Sequence, residues 1–510
     1  MRQRLPLIAA MAIALSGPLY AQEPRLGHVE FPTSGAPAAQ PHFVRGVLFL
    51  HSFEFEAAAE AFREAQAADA DFALAYWGEA MTYNHPLWGE RDDAAARAVL
   101  ARLGPTAEAR QARAGSERER MYLDAVEALW REGPKPDRDT AYSVAMGDLV
   151  RAFPEDVEAR AFYALSLMGL SGTVRVVPTY MRAGAIALEI LQEHPSHPGA
   201  AHYVIHAFDD PVHAPIALPA ARVYSKIAPD AAHAQHMTTH IFVALGMWDE
   251  VVSQNVIAAE LTWWGPGHYT SWLTYGLAQQ GRFAEAERHL ARARELLATR
   301  DRQGARSYLA TMRAHHVVNT ERWDDAMLAW DLNLAGTGPV AQGMDAFALG
   351  YAAVKRGDRP KVHPQLARLV RLAREHQSET KLGVLEIELR AAILFADGQR
   401  DEALALLREA TVIEDGLPME YGPPDIVKPS HELLGEMLVG VGQYAEAQRE
   451  FTRALDLGPK RARSLIGLAR AATAAGDPQT ANRARTTIAE IWHSADQGLD
   501  GRYGGMAVRR

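Results

Sequence analysis

Histidines at helical spacing are the residues of this 510-residue chain that could do chemistry. Eight of the twenty histidines lie between His194 and His240. His202 and His206 are four residues apart, His236 and His240 are four apart, and the second pair follows the first by 34 residues. Side chains four apart share one helix face, with Cβ atoms about 5–6 Å apart. Neighbouring helices lie about 8–10 Å apart, so both pairs can reach one ion at metal–nitrogen distances of about 2.0–2.1 Å.

The predicted metal site therefore has four imidazole ligands, or three and an open position, from His202, His206, His236 and His240. Asp209 and Asp210 could add a carboxylate or orient an imidazole from behind. The chain has no cysteine, and nitrogen and oxygen ligands suit a divalent transition metal such as copper, zinc or iron. The sequence contains no Walker loop, GxSxG or HExxH motif. If the protein is an enzyme, metal-assisted chemistry is the one class that its residues support.

The helices that carry these pairs belong to a repeated unit of two helices and a turn. Its clearest copy is marked by the spacing of Gly435, Gly442, Tyr444, Ala447, Phe451, Ala454 and Pro459. This spacing resembles the tetratricopeptide (TPR) consensus, a hairpin of about 34 residues. Similar turns recur at Gly246, Gly281, Glu321, Gly398 and Gly476. About twelve hairpins fit between Phe43 and Ser494, which predicts an all-α, right-handed TPR superhelix (an α-solenoid) stabilised by contacts between neighbouring hairpins.

The TPR likeness implies a concave groove lined by positions 2, 5, 9, 12 and 13 of each first helix. If Gly246 takes the turn position of Gly442, a unit begins at Ala232 and places His233, His236 and His240 at positions 2, 5 and 9. The preceding unit then has His202 and His206 at positions 5 and 9. The same register places further side chains either in the groove or behind the ligands. They are His268, Asp209, Asp210, His51 and His85.

Two other interpretations compete with the metal site. A lone HxxxH on an alanine-rich helix is usually chance or a hydrogen-bonded pair, although two copies in one register favour a common ligand. The alternative is a metal-free interaction scaffold, whose polar groove binds a small molecule, peptide or protein through its imidazoles. Glu432 and Glu436 fit either a solvated face or contacts to the proline-rich segment 414–429, and His197 could cap the helix that follows it.

The ends of the chain predict its compartment. Residues 1–21 have the pattern of a secretory signal, with Arg2 and Arg4 before an apolar run. This run is short for a membrane anchor, and no later segment is apolar enough to span a bilayer. We therefore expect a periplasmic or secreted protein with a linker at 22–42, repeats over 43–495 and a tail at 496–510. The formal net charge of −10, without basic runs, argues against a nucleic-acid partner.

Four longer motifs resemble a group of exported bacterial TPR-repeat proteins that is rich in histidine. They are AYWGEAMTYNHPLW at 75–88, HYVIHAFDDPVHAP at 202–215, HMTTHIFVALGMW at 236–248 and EYGPPDIVKPSHELLGE at 420–436. The resemblance implies the same repeat fold and marks the same histidines. It implies no particular reaction or substrate.

Overall fold

A computed structural model describes residues 23–172, 175–419 and 421–499. The predicted signal sequence, 1–21, lies outside the described residues, as does most of the predicted tail. Within the described residues the chain forms 24 α-helices and one β-hairpin of two short strands. No described helix is both long enough and apolar enough to cross a membrane.

The first half of the array contains helices of 5–18 residues and the β-hairpin. In chain order these elements are α1 (Gln40–His51), α2 (Phe55–Ala68), α3 (Ala73–Met81), β1 (Asn84–His85), β2 (Glu90–Arg91), α4 (Asp93–Leu103), α5 (Ala107–Gln111), α6 (Glu117–Trp130), α7 (Lys135–Ala152), α8 (Val157–Gly169), α9 (Val177–Glu193), α10 (Pro198–Ala207), α11 (Ala214–Ile227), α12 (Ala232–Ala244) and α13 (Trp248–Leu261).

The second half is more regular. Its helices are α14 (His268–Gln279), α15 (Phe283–Thr299), α16 (Gln303–Thr320), α17 (Pro339–Arg356), α18 (Arg359–Glu375), α19 (Thr380–Ala396), α20 (Arg400–Asp415), α21 (Ser430–Gly440), α22 (Tyr444–Leu457), α23 (Ala462–Ala474) and α24 (Pro478–Ile491), with a 3-10 turn at Ala326–Ala329 after α16.

Consecutive helices pack against each other as hairpins by burying apolar side chains between them. In α22, for example, Ala447, Phe451 and Ala454 are buried at intervals of four and three residues, while the rest of the helix is largely polar. Eleven of the hairpins have two complete helices. In one further hairpin, which begins with α16, the 3-10 turn takes the place of the second helix. The short helix α5 is an addition to this pattern. The predicted all-α TPR superhelix of about twelve hairpins is confirmed.

The turns lie where the sequence predicts them. Left-handed backbone occurs at each predicted turn residue, namely Gly246, Gly281, Glu321, Gly398, Gly442 and Gly476. Gly246 has φ 62°, and a Cβ there would lie 2.5 Å from the carbonyl oxygen of Pro459. The turn after α12 therefore requires glycine for both its conformation and its close contact with a distant hairpin.

Residues 23–39, which fall in the predicted linker, contain no helix but pack against the array. Leu26, Val29 and Phe31 are buried, and the main-chain N–H of Arg25 donates to the Asp230 carboxylate at 2.7 Å. The first helix begins at Gln40, within the predicted linker. This segment is thus an extended strap across several hairpins.

The array winds so that its C-terminal hairpins contact its middle. The indole N–H of Trp248 donates to the Lys460 carbonyl at 3.1 Å, and the indole N–H of Trp492 donates to the Gln279 carbonyl at 2.9 Å. The α1–α2 turn packs against α10 from the other side. As a result α10, α12 and α14, the three helices that carry the predicted site, are enclosed by distant parts of the chain.

Candidate metal centre

The two HxxxH pairs lie on α10 and α12, the first helices of consecutive hairpins. Helix α10 begins at Pro198, and its N-cap is His197, whose Nδ1 accepts the main-chain N–H of Ala200 at 3.1 Å. This confirms the capping role that the sequence suggests for His197. Proline at the first helical position and the cap fix the start of the helix, so the spacing of four puts His202 and His206 on one face.

The pairs do not meet as one set of four; each gains a third histidine. The first histidine trio is His202, His206 and His233, and the second histidine trio is His236, His240 and His268. Within each trio, one ligand nitrogen from each ring lies within 4.8 Å of the others. His233 and His268, expected beside the site, thus take positions equivalent to those of the predicted ligands.

Hydrogen bonds at Nδ1 fix the tautomer of three of these rings. The Nδ1 atom of His202 lies 2.7 Å from the carbonyl oxygen of His51, which can only accept, so this nitrogen carries the proton. The Nδ1 atom of His240 donates in the same way to the Asp209 carboxylate at 2.5 Å. In both rings the lone pair is therefore left on Nε2, the tautomer that a metal-binding histidine needs.

Asn255 on α13 does the same for His236. Its amide NH2 donates to the Val251 carbonyl at 2.9 Å and faces the Thr239 hydroxyl at 3.3 Å. Its amide oxygen is thereby turned toward Nδ1 of His236, at 2.8 Å. His236 must donate to this oxygen, so its Nε2 also carries a lone pair.

The Nε2 atoms of His236 and His240 face each other at 3.2 Å. With both Nδ1 atoms protonated and both rings neutral, neither Nε2 has a proton to donate, and the contact is then an approach of two lone pairs; it becomes a hydrogen bond when one ring is protonated. Two nitrogens on a tetrahedral metal at about 2.0–2.1 Å are separated by about 3.3–3.4 Å. The observed separation is close to that between two ligands of one cation.

The first trio is open in a comparable way. The Nε2 atoms of all three of its rings are buried and have no hydrogen-bond partner among the described residues. Buried polar atoms are normally paired, because burial without a partner costs free energy. Three such atoms in one trio therefore point to a group that binds between them.

Burial lowers the pKa of five histidines of the two trios. Removal from water lowers the pKa of His202 and of His268 to about 3, with smaller contributions from nearby histidines. The pKa values of three more rings lie well below the usual value, mainly because the rings are buried and secondly because neighbouring imidazoles repel their charged form. These rings are His206, His233 and His236.

Aromatic rings surround the trios. Phe53 contacts all three rings of the first trio, with centroids 4.4–5.7 Å apart. It has φ 54°, a left-handed conformation that costs an aromatic residue about 1–3 kcal/mol and is common at functional sites. Trp272 lies 4.7 Å from His236 and 4.4 Å from His240. Trp272 also packs so closely on Gly422 that a side chain there would not fit, which holds segment 421–429 over the second trio.

Two of the surrounding rings reach the surface. Trp88, 48% exposed, lies 5.6 Å from His233, and Tyr421, 40% exposed, lies 6.4 Å from His240. A separate cavity of about 240 Å³ adjoins His240 and Asp209 and is lined in part by residues within 414–419 and 422–429. The cluster is therefore buried but lies close to solvent.

The remaining predicted groove residues lie outside the trios. Asp210 pairs with Arg175 and accepts from Nδ1 of His213 at 2.7 Å, so it orients a histidine that is not in either trio. His85 stacks on Phe55 with centroids 3.9 Å apart. Of the two predicted carboxylates, Asp209 alone supports a trio.

His51 belongs to a different buried cluster, with Glu158 and His197. Its Nε2 lies 2.6 Å from the Glu158 carboxylate and its Nδ1 lies 2.9 Å from the Tyr203 hydroxyl. The Nε2 of His197 lies 3.2 Å from the other Glu158 oxygen. Both nitrogens of His51 have hydrogen-bond partners, so this ring has no lone pair left for a metal, whereas Nε2 of His197 faces Glu158 without a hydrogen bond. The remaining cluster of candidate ligands consists of Glu287, His316 and Asp325. It already has a cation beside it, because Arg322 pairs with Glu287.

No family model matches this chain, and no curated protein matches it. Among solved structures it is similar to the APC/C hetero-tetramer Cut9–Hcn1, at 11% identity over 93% of this chain and 78% of that one, with a TM-score of 0.32. It is also similar to the P58(IPK) TPR domain, at 12% identity over 86% of this chain and 99% of that one, with a TM-score of 0.23. A third similar structure is that of Naa15/Naa10 bound to HypK-THB, at 13% identity over 89% of this chain and 63% of that one, with a TM-score of 0.24. These likenesses carry no information about the histidines.

Several residues of the site were not found by sequence reasoning. Asn255, Phe53 and the carbonyl of His51 all support ligands, yet they lie on other helices or turns and have no motif of their own. The one signal available for Asn255 was its position on the apolar face of α13, where a polar residue needs a partner.

Proposed function

We propose that this protein is a metalloprotein that binds a transition metal through its two histidine trios. The observation that carries the proposal is the approach of the His236 and His240 Nε2 atoms to 3.2 Å, with both rings held by donation from Nδ1. Holding two lone pairs together costs free energy, and a cation between them removes that cost.

The ligand types support a transition metal. All six candidate ligands are imidazoles, which suit copper, zinc, iron and nickel, whereas magnesium and calcium prefer oxygen. The hydrogen-bond acceptors behind the rings, a carboxylate, an amide and a main-chain carbonyl, are those typically found behind metal-binding histidines. Catalysis would need an open coordination position, and three protein ligands per ion leave one.

Elemental analysis tests the proposal directly. The full chain is produced without a histidine tag, and the metal content per chain is measured after extensive dialysis. We expect at least one transition-metal ion per chain, and we expect a chelator to lower the melting temperature of the wild-type protein. The chelator experiment needs no variant, so a folding defect cannot imitate its result.

Paired variants localise the metal. The His236→Ala, His240→Ala double variant should lose most of the metal, while a matched His363→Ala, His376→Ala variant should keep it, because those two histidines are exposed on and after α18. Circular dichroism checks that both variants remain helical. If wild-type protein contains no metal, takes none up and is not affected by chelator, the proposal is wrong. The metal-free interaction scaffold then becomes the better account, since solenoids present extended binding surfaces.

A further inference from the structure

The six imidazoles of the two trios form one continuous cluster. The rings of His206 and His240, from different trios, have centroids 6.1 Å apart, and those of His233 and His236 are 6.2 Å apart. Within the second trio alone, His240 and His268 are 6.4 Å apart. Rings of different trios are thus as close as the most distant rings of one trio, so ions held by the two trios would be near neighbours.

Each trio is complete enough to hold an ion by itself. Ring centroids within the first trio are 4.7 and 5.0 Å apart for His202 with His206 and with His233. In the second trio, His236 lies 5.0 Å from His240 and 4.3 Å from His268. Three nitrogen ligands with a fourth position left open is a common arrangement for a metal that also binds a small molecule.

The charge balance of the cluster calls for a shared anion. Two divalent ions would bring four positive charges to six ligands that are neutral when they coordinate. The supporting carboxylates are Asp209, behind His240, and Glu54, which accepts the main-chain N–H of His233 at 3.0 Å. Together they offset at most half of the added charge, and buried charge without compensation is costly. An anion between the ions would bind both and reduce their repulsion.

We propose that the two histidine trios form a single dinuclear centre, in which two transition-metal ions share one small anionic ligand such as hydroxide. The bridging hydroxide forms when a water molecule bonds to both ions and releases one proton to solvent, with no change of oxidation state. In proteins, ions that share a ligand in this way lie about 3.5–4 Å apart. This inference rests on the proposed metal binding and adds the number of ions and their coupling.

Copper(II) is the probe that tests it. Metal-free full-length protein is titrated with copper(II) alone, bound copper is counted by elemental analysis after gel filtration, and the same sample is examined by electron paramagnetic resonance. We expect two copper ions per chain and loss of most of the resonance signal, because a shared ligand couples the two unpaired spins. After acid denaturation the full copper(II) signal should return, which separates coupling from reduction.

Single variants make the test specific. His268→Ala and His202→Ala each remove one ligand from a different trio, so each should bind less copper yet show more signal for every copper ion that remains. A purely structural role for these histidines would not produce that inverse change. His363→Ala, on the exposed side of α18, should behave as the wild type.

Two results would overturn the inference while leaving the proposed function intact. One copper ion per chain would mean that the cluster is a mononuclear site. Two copper ions with full signal would mean that the sites are separate. No bound copper or other transition metal would instead contradict the metalloprotein itself.

Discussion

Two buried polar regions of this protein differ in whether their polar side chains have partners within the chain. In the histidine cluster, the rings pack on each other and the Nε2 atoms of His202, His206 and His233 have no hydrogen-bond partner. In the charge cluster, formed by Lys428, Glu432 and Arg461, every charge has an opposite charge. Lys428 Nζ lies 2.9 Å from one Glu432 oxygen, and Arg461 Nε lies 2.8 Å from the other. Ser464 and Tyr275 complete the hydrogen bonds around it.

The pKa values show the same difference. Burial lowers the pKa of five cluster histidines, and the hydrogen bonds to His202 and His236 offset only part of that shift; the five are His202, His206, His233, His236 and His268. Burial acts against the charged form of Glu432 as well, but Arg461 and Lys428 hold the pKa of this carboxyl well below its usual value. Glu432 and Glu436 in turn raise the pKa of Lys428 despite its burial. The charge cluster is therefore complete within the chain and anchors Val427 and Lys428, whereas the histidine cluster is complete only with something added.

We expect the largest change in stability from a substitution that breaks the charge cluster. Glu432→Ala leaves Arg461 buried without its counter-charge and Lys428 with Glu436 alone, which should lower the free energy of unfolding by about 3–5 kcal/mol. Denaturant unfolding measures it. Glu446→Ala, which removes the partner of the half-exposed Arg408, is the matched control and should cost no more than about 1 kcal/mol. Equal costs for the two variants would show that the charge cluster does not stabilise the fold in this way.

Metal loading should affect the histidine cluster alone. At a free metal concentration about one hundred times the dissociation constant, binding to the folded state adds about 2.7 kcal/mol to the free energy of unfolding. We expect this gain in the wild type and in the Glu446→Ala variant but not in the His236→Ala, His240→Ala variant. Thermal unfolding with and without metal measures it, and an equal gain in the double variant would place the metal elsewhere.

A change behind a ligand should have a smaller effect than loss of the ligand. Asp209→Asn keeps the shape of the side chain but replaces the carboxylate that accepts from His240. Metal affinity should fall about 10–100-fold, the usual cost of altering such a partner. Competition with a chelator of known affinity measures the change. Asp415→Asn, which also lines the cavity beside His240 but pairs with Arg453, should leave affinity unaltered.

The smallest expected effect is a pH dependence at the edge of the charge cluster. Burial lowers the pKa of His431, but its hydrogen bond with Glu450 at 2.7 Å and the nearby carboxylates raise it above the usual value overall. A raised pKa means that protonated His431 stabilises the fold below about pH 6.5, and that this contribution is lost as pH rises through the folded-state pKa. The stability difference between wild type and His431→Gln should therefore shrink from about pH 6 to pH 8 in denaturant unfolding. A difference that is constant with pH would contradict it.

Local periodicity explains why much of the fold was predictable. Turn glycines, apolar stripes and the 34-residue period depend on neighbours in the chain, so the hairpins and the turn at Gly246 were found correctly. For Glu432 and Glu436 the sequence allows either a solvated face or contacts to segment 414–429. The structure selects the second, because both carboxylates bind Lys428 of that segment. His51, also expected in the groove, is paired with Glu158 instead.

The sequence by itself determined which histidines share a helix face, because that depends only on a spacing of four residues and a helix of 3.6 residues per turn. Tertiary structure decided how they group and which nitrogen is left open. The third member of each trio comes from another hairpin. The carbonyl of His51 that fixes the tautomer of His202 lies 151 residues away along the chain. Such contacts depend on how the superhelix winds, and no local pattern of residues encodes that.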